Sequence, residues 1–225
     1  MKKKLSLLLI STGLLFGISC TQAPKADEAK TGAPQEVPAA AASDAKMAVD
    51  VNSSVVTWIG TKPVGQHNGV FKLKDGVINV SGNQVVGGTF TIDMNSLTVL
   101  DGNATSQGKL AGHLKSGDFF ETDKNPESKF EITAVQPYTA PADTTQKALL
   151  PGVTHTVTGN LTIKGNTQSV SFPAILNVTV DAVTAKANFN IDRTKWQLSY
   201  GNDKSLGDKF IRPEVNIGLS IAAHK

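Results

Sequence analysis

From about residue 48 to the C-terminus, apolar residues recur at every second position, and no other feature constrains the fold as much. Phe90, Ile92 and Met94 alternate with polar neighbours in GTFTIDMN, and Phe130 and Ile132 do so in SKFEIT. Val157, Leu161 and Ile163 follow the same period in TVTGNLTIKG. The longest row is Val170, Phe172, Ala174, Leu176, Val178 and Val180; Ala185, Ala187, Phe189 and Ile191 form another, and Val215, Ile217, Leu219 and Ile221 the last. Shorter strands are predicted over Val56–Gly60, Gly69–Leu73 and Val77–Ser81. A period of two turns one face of each segment to a core and the other to water. Lys74-Asp75-Gly76, Ser81-Gly82-Asn83 and Lys164-Gly165-Asn166 read as hairpin turns, where Gly or Asn accepts a positive φ. Eight to nine strands joined mostly by short turns predict an all-β antiparallel barrel or sandwich. Closure leaves no exposed edge, which favours the barrel.

Two stretches depart from this period. Ser106–Leu114 (SQGKLAGHL) places Leu110 and Leu114 four apart and predicts one or two helical turns. Pro137–Pro151 carries three prolines and no alternation, and reads as an exposed loop or flap.

The N-terminus is processing signal, not fold. Lys2, Lys3 and Lys4 precede a largely apolar run of 14 residues, Leu5–Ile18, the length of a signal-peptide core and short for a membrane span. It ends in Gly17-Ile18-Ser19-Cys20, a lipobox-like stretch in which Gly17 replaces the usual Leu. Cys20 is the only cysteine, so no internal disulfide exists for an exported chain, and acylation would remove a lone thiol. An ordinary signal peptide with an incidental cysteine is the alternative. Thr21 to Met47 is rich in Ala, Pro, Lys and Glu, with Val37 its only branched aliphatic residue, and predicts an unfolded tether reaching about 30 Å. The expected organisation is therefore a lipoprotein signal peptide (1–19), a lipidated Cys20 with a flexible tether (20–47) and one β-barrel domain (48–225). The expected location is the bacterial cell envelope, anchored to a membrane and facing the periplasm or the cell surface.

Charge and motifs argue against several function classes. The chain has 22 basic and 19 acidic residues; loss of the three leader lysines leaves the mature chain neutral. Nothing points to nucleic acid. His67, His113, His155 and His224 stand apart from other metal ligands, and H-E-x-x-H, C-x-x-C, G-x-S-x-G and P-loop motifs are missing. No enzymatic activity, metal or cofactor is expected. Arg193, in NIDRTKWQLSYGND, is read either as a structural ion-pair partner beside a Trp196 plug or as a fork for an anionic head group. His113 and Lys115 are read either as loop residues or as the polar mouth of an apolar cavity.

Six blocks in order carry a family resemblance. They are VTWIGTK (Val56–Lys62) with HNGVF (His67–Phe71), GTFTIDM (Gly88–Met94), HLKSGDFF (His113–Phe120) with SKF (Ser128–Phe130), VTGNLTIKG (Val157–Gly165), VSFP (Val170–Pro173) and NIDRTKW (Asn190–Trp196) with Tyr200-Gly201. Together they resemble the YceI-like polyisoprenoid-binding proteins. The resemblance implies a lipocalin-like, eight-stranded antiparallel barrel whose apolar interior holds an isoprenoid lipid, either an isoprenoid quinone or a polyprenyl phosphate. It implies a lining that includes Phe71, Phe90, Ile92, Leu110, Leu114 and Phe120; whether the Phe119–Phe120 pair seals the barrel or touches the ligand is open, the preferred reading being Phe120 at the ligand and Phe119 in the core. Phe130, Ile132, Leu161, Ile163 and Phe172 continue the lining, followed by Leu176, Ala187, Phe189, Ile191 and Trp196. His113, Lys115 and Arg193 are the head-group candidates. A barrel filled by its own side chains, acting as a structural or interaction module of the envelope, is the competing reading.

Overall fold

In a computed structural model describing residues 22–140 and 148–225, the alternating rows become strands whose pairing closes on itself. The expected signal peptide, Cys20 and residues 141–147 of the Pro137–Pro151 insert lie outside the described residues. Two short strands, β1 (Asp27–Glu28) and β2 (Lys30–Gly32), precede β3 (Ala45–Val49). The barrel follows as β4 (Val55–Thr61), β5 (Gln66–Ser81), β6 (Gln84–Val99), β7 (Glu127–Pro137), β8 (His155–Ile163), β9 (Asn166–Val178), β10 (Ala182–Asp192) and β11 (Glu214–His224). Each of these eight pairs antiparallel with its neighbour in sequence, and β11 returns to β4 to close the ring. The short strand β3 extends the place of β4, joining β5 through Met47↔Ile78 and β11 through Val49↔Ala223.

Local chemistry explains the connections. At the β5–β6 and β8–β9 turns, Gly82 and Gly165 take φ of 62° and 73°, as hairpin turns require. Lys74-Asp75-Gly76, expected to be a third turn, instead lies inside β5, which runs unbroken across the two shorter strands expected there. The register against β6 shifts between Leu73 and Asp75, so the extra residue is absorbed as a bulge. Gly76 serves packing rather than turning: a Cβ there would stand 2.8 Å from Val49 Cγ2.

Between β6 and β7 the chain forms helix α1 (Ala104–Lys115), longer than the two turns expected. Asn103 Oδ1 accepts from the Ser106 N–H, while Ser106 Oγ accepts from the Asn103 N–H. Leu110 and Leu114 turn this helix onto the core. It covers the end of the barrel where β4, β6, β8 and β10 finish. Two 3-10 segments, Arg193–Trp196 and Lys204–Lys209, lie in the β10–β11 connection at the same end.

The segment expected to be a free tether is in part docked. β9 and β10 pair from Val178↔Val183 to Ala174↔Ala187 and then separate. Residues 27–32 enter the gap: β1 pairs parallel with β10 at Phe189 and Asn190, and β2 pairs antiparallel with β9 at Ser169–Ser171. Composition denies this segment a core of its own, but strand pairing needs backbone groups, not apolar side chains.

Candidate ligand-binding site

The inward faces of the eight strands do not meet in the middle. They enclose a cavity of about 520 Å³, walled mainly by apolar side chains from every barrel strand and from α1. The rows that predicted strands also predict this wall, because successive inward residues of a barrel strand face its interior. Apart from Trp196, the residues expected to line a ligand site border this cavity. Phe90, Phe130, Phe172 and Phe189 form a chain of ring contacts across four strands, ending in a stacked Phe172–Phe189 pair with centroids 4.1 Å apart. Ala187 borders the cavity opposite Ala174 of β9 and Leu219 of β11, and the two small alanine side chains leave space there. Both members of the Phe119–Phe120 pair reach the cavity: Phe120 packs edge-on to Phe71, and Phe119 is nearly fully buried beside Arg193.

Trp196 has a different place. It is fully buried, and its indole Nε1 donates to the Leu161 carbonyl at 2.8 Å. The ring plugs the barrel end, and its polar edge is used within the fold.

The three head-group candidates separate. Arg193 borders the cavity, yet its guanidinium is consumed by backbone carbonyls. Nε donates to Arg212 O at 3.2 Å, and Nη2 to Tyr200 O and Ile211 O, both at 2.9 Å. Nη1 donates to the Leu198 carbonyl. Burial lowers its pKa from the usual guanidinium value, against an opposing pull from Asp192 and Glu214. The fork is a tie for the irregular β10–β11 connection, not an open anion clamp. Lys115 points outward, with Nζ donating to Asn95 O at 2.6 Å, and lies off the cavity wall. His113 borders the cavity: Nε2 meets Asp118 Oδ2 at 3.0 Å, and its ring stands edge-on to Phe119 and Tyr200.

Polar groups that sequence reasoning passed over also reach the cavity at this end: Thr61, Lys62, His67, Ser128, Tyr200 and Lys209. Asp101 holds His67 by its Nδ1 at 2.8 Å and also accepts from the Asn68 N–H. Burial pushes the Asp101 carboxyl up, but the Asn68 N–H and the His67 ring outweigh it and hold its pKa below the usual value. With Nδ1 occupied, the imidazole orientation is set and Nε2 is left for the cavity side. His67 has the inward parity of Phe71, so its direction was readable; its partner, 34 residues on, was not. Thr61 Oγ1, Ser128 Oγ and Trp58 Nε1 are buried on the same wall with no hydrogen-bond partner among the described residues. A buried polar atom without a partner costs about 1–3 kcal/mol, and these three carry that cost within the packed wall.

No group of three or more His, Cys, Asp or Glu residues among those described is placed to hold a metal. Chemically the site offers a long apolar interior, a rim of hydrogen-bonding groups at one end and no assembled nucleophile.

Comparison with solved structures identifies the architecture. BcnA of Burkholderia cenocepacia superposes with a TM-score of 0.59 at 22% identity, over 78% of this chain and 99% of that one. A polyisoprenoid binding domain from Saccharophagus degradans, implicated in plant cell wall breakdown, superposes with a TM-score of 0.53 at 13% identity, over 79% of this chain and 97% of that one. Comparison with curated proteins gives no match. The model of the YceI-like domain matches residues 47–223, the whole barrel from β3 into β11, and the chain belongs to that family.

Proposed function

We propose that this protein binds a polyisoprenoid lipid, an isoprenoid quinone or a polyprenyl phosphate, in the barrel cavity as a carrier or store, with no chemistry of its own. The observation that carries this reading is the cavity itself: about 520 Å³, apolar along its length and polar at one end, as an amphiphile with a long tail requires. The solved domain from Saccharophagus degradans, described as polyisoprenoid binding, shares the fold and supports the same ligand class. A barrel filled by its own side chains would leave no such space, which favours the carrier over a purely structural module.

Magnitude sets how such a carrier works. An isoprenoid of about eight units has about 40 carbons, and full burial at about 0.8 kcal/mol each would exceed about 30 kcal/mol. Non-covalent affinities stop near about 18–21 kcal/mol. A bilayer solvates the same chain almost as well as the barrel, so the ligand exchanges with membrane rather than staying locked in place. The lipobox-like Cys20 and its leader support an extracytoplasmic lipoprotein held at the membrane where that exchange occurs.

Organic extraction of the purified native protein followed by mass spectrometry tests the proposal, and a co-purifying prenyl lipid is expected. Absence of any prenyl lipid, together with no uptake of added quinone or polyprenyl phosphate, would overturn it.

A further inference from the structure

We infer that the N-terminal strap, residues 24–35, is a releasable cover over a gap in the barrel, and that its undocking lets the side chains behind it part and opens a lateral route for the ligand between β9 and β10. The inference rests on the lipid-binding reading and adds a path to it.

The ring of strand pairing is incomplete without the strap. Beyond Ala174 and Ala187, β9 and β10 no longer pair, and the backbone of Ser169–Ser171 faces that of Phe189–Asn190 across a gap. Val170, Phe172, Phe189 and Ile191 flank this gap and border the cavity. The strap crosses from β10 to β9 at Ala29, whose N–H donates to Asn190 O at 2.9 Å and whose methyl packs against the core. Behind Ala29, on the cavity side, the gap is bridged only by side chains, chiefly the stacked Phe172–Phe189 pair, and not by paired backbone.

The strap is held in a way that permits release. Its attachments are polar. Asn190 Nδ2 donates to Pro24 O and to Glu28 Oε1; Asn160 Oδ1 accepts from the Gln35 N–H while Asn160 Nδ2 donates to Gln35 O; Thr133 Oγ1 donates to Gln35 Oε1. The Leu149 N–H, at the end of the Pro137–Pro151 insert, donates to Asp27 Oδ2. The seat beneath is polar as well: Thr133, Asn160, Ser169 and Asn190 are buried under or beside the strap. Water can take over each of these bonds when the strap lifts, whereas an aliphatic seat would resist. Segments held by few apolar contacts and many solvent-replaceable hydrogen bonds are those that open locally without global unfolding. The strap also lies outside the residues matched by the family model, so the barrel proper begins after it.

A reversible lock tests this. Glu28 and Asn190 are register partners with side chains in contact. In full-length protein carrying Cys20→Ser, the pair Glu28→Cys and Asn190→Cys would tie the strap when oxidised and free it when reduced. The probe is geranylgeraniol esterified with an anthraniloyl fluorophore, and the readout is its transfer to excess phosphatidylcholine vesicles. Oxidation is expected to slow transfer at least tenfold relative to the same protein reduced. Ala29→Pro, which removes the N–H to Asn190, is expected to speed it and to raise amide exchange at Ser169–Ser171. Equal transfer rates in the oxidised and reduced forms, with probe bound to both, would overturn the strap route and leave lipid binding standing. Failure of both forms to take up probe would overturn lipid binding and the strap route together, whereas uptake by the reduced form alone would support the route.

Discussion

The two ends of the barrel are closed by different physics. At the end where β3 crosses, Met47, Ile78, Val80, Val183 and Ala223 are each no more than 2% exposed, and the seal is aliphatic packing between paired strands. At the other end sit α1, the two 3-10 segments, Arg193 with its carbonyl partners, the His67–Asp101 pair and the aromatic group of His113, Phe119 and Tyr200. Regular strands satisfy their own backbone and can end in hydrocarbon. The irregular connection Arg193–Pro213 leaves carbonyls that no ladder pairs, and a buried guanidinium with five donors serves four of them. One end is therefore a stopper, while the other is a hydrogen-bonded rim, and the contrast gives the cavity a direction.

Substitutions at the two ends would break or sharpen that contrast. The largest effect is expected for Trp196→Ala, which removes a fully buried plug from the polar end: about 3–5 kcal/mol of stability in denaturant unfolding. A loss below about 1 kcal/mol would show that this end is held by its hydrogen bonds alone. Met47→Ala, at the aliphatic end, is expected to cost about 2–3 kcal/mol while leaving the affinity for a prenyl probe within about twofold. A larger drop in affinity would mean that the ligand reaches the stopper.

Ala187→Phe probes the space between the ends. If the cavity accepts the ring, stability changes by under about 1 kcal/mol and probe binding falls at least tenfold, read by melting and titration of one sample. Destabilisation by about 1–3 kcal/mol with binding unchanged would mark the barrel as filled at this position. The smallest effect is expected for Asp101→Asn at the rim. The folded pKa of Asp101 lies below its ordinary value of 3.8, so its contribution is present above that value and is lost as pH falls through the depressed one. The wild type should therefore exceed the variant by under about 1 kcal/mol near neutrality, and the gap should close on acidification in melts recorded down to about pH 2. A gap that stays constant across this range would assign the difference to packing.

The wall of the site was legible because it follows from parity. Once Phe90 and Ile92, or Ala187 and Phe189, are known to face inward, their neighbours two residues away do so as well, and the aligned rows outline the interior. The rim was poorly legible because parity stops where strands stop. Arg193 and Lys115 have the right chemistry for an anionic head group, but whether a cation is free depends on carbonyls brought in by distant turns: Leu198, Tyr200, Ile211 and Arg212 for the one, Asn95 for the other. His67 shows the reverse case, an inward residue whose importance emerges only when Asp101 is folded against it.

The sequence by itself determined the class of architecture and the inward and outward faces of its strands, because alternation and turn chemistry act between near neighbours. Only the tertiary structure decided that Lys74-Asp75-Gly76 is a bulge, that Trp196 is a plug and that residues 27–32 pair into the gap between β9 and β10. Those outcomes depend on backbone groups left unpaired by curvature elsewhere in the ring, and a chain satisfies them with whichever segment can reach.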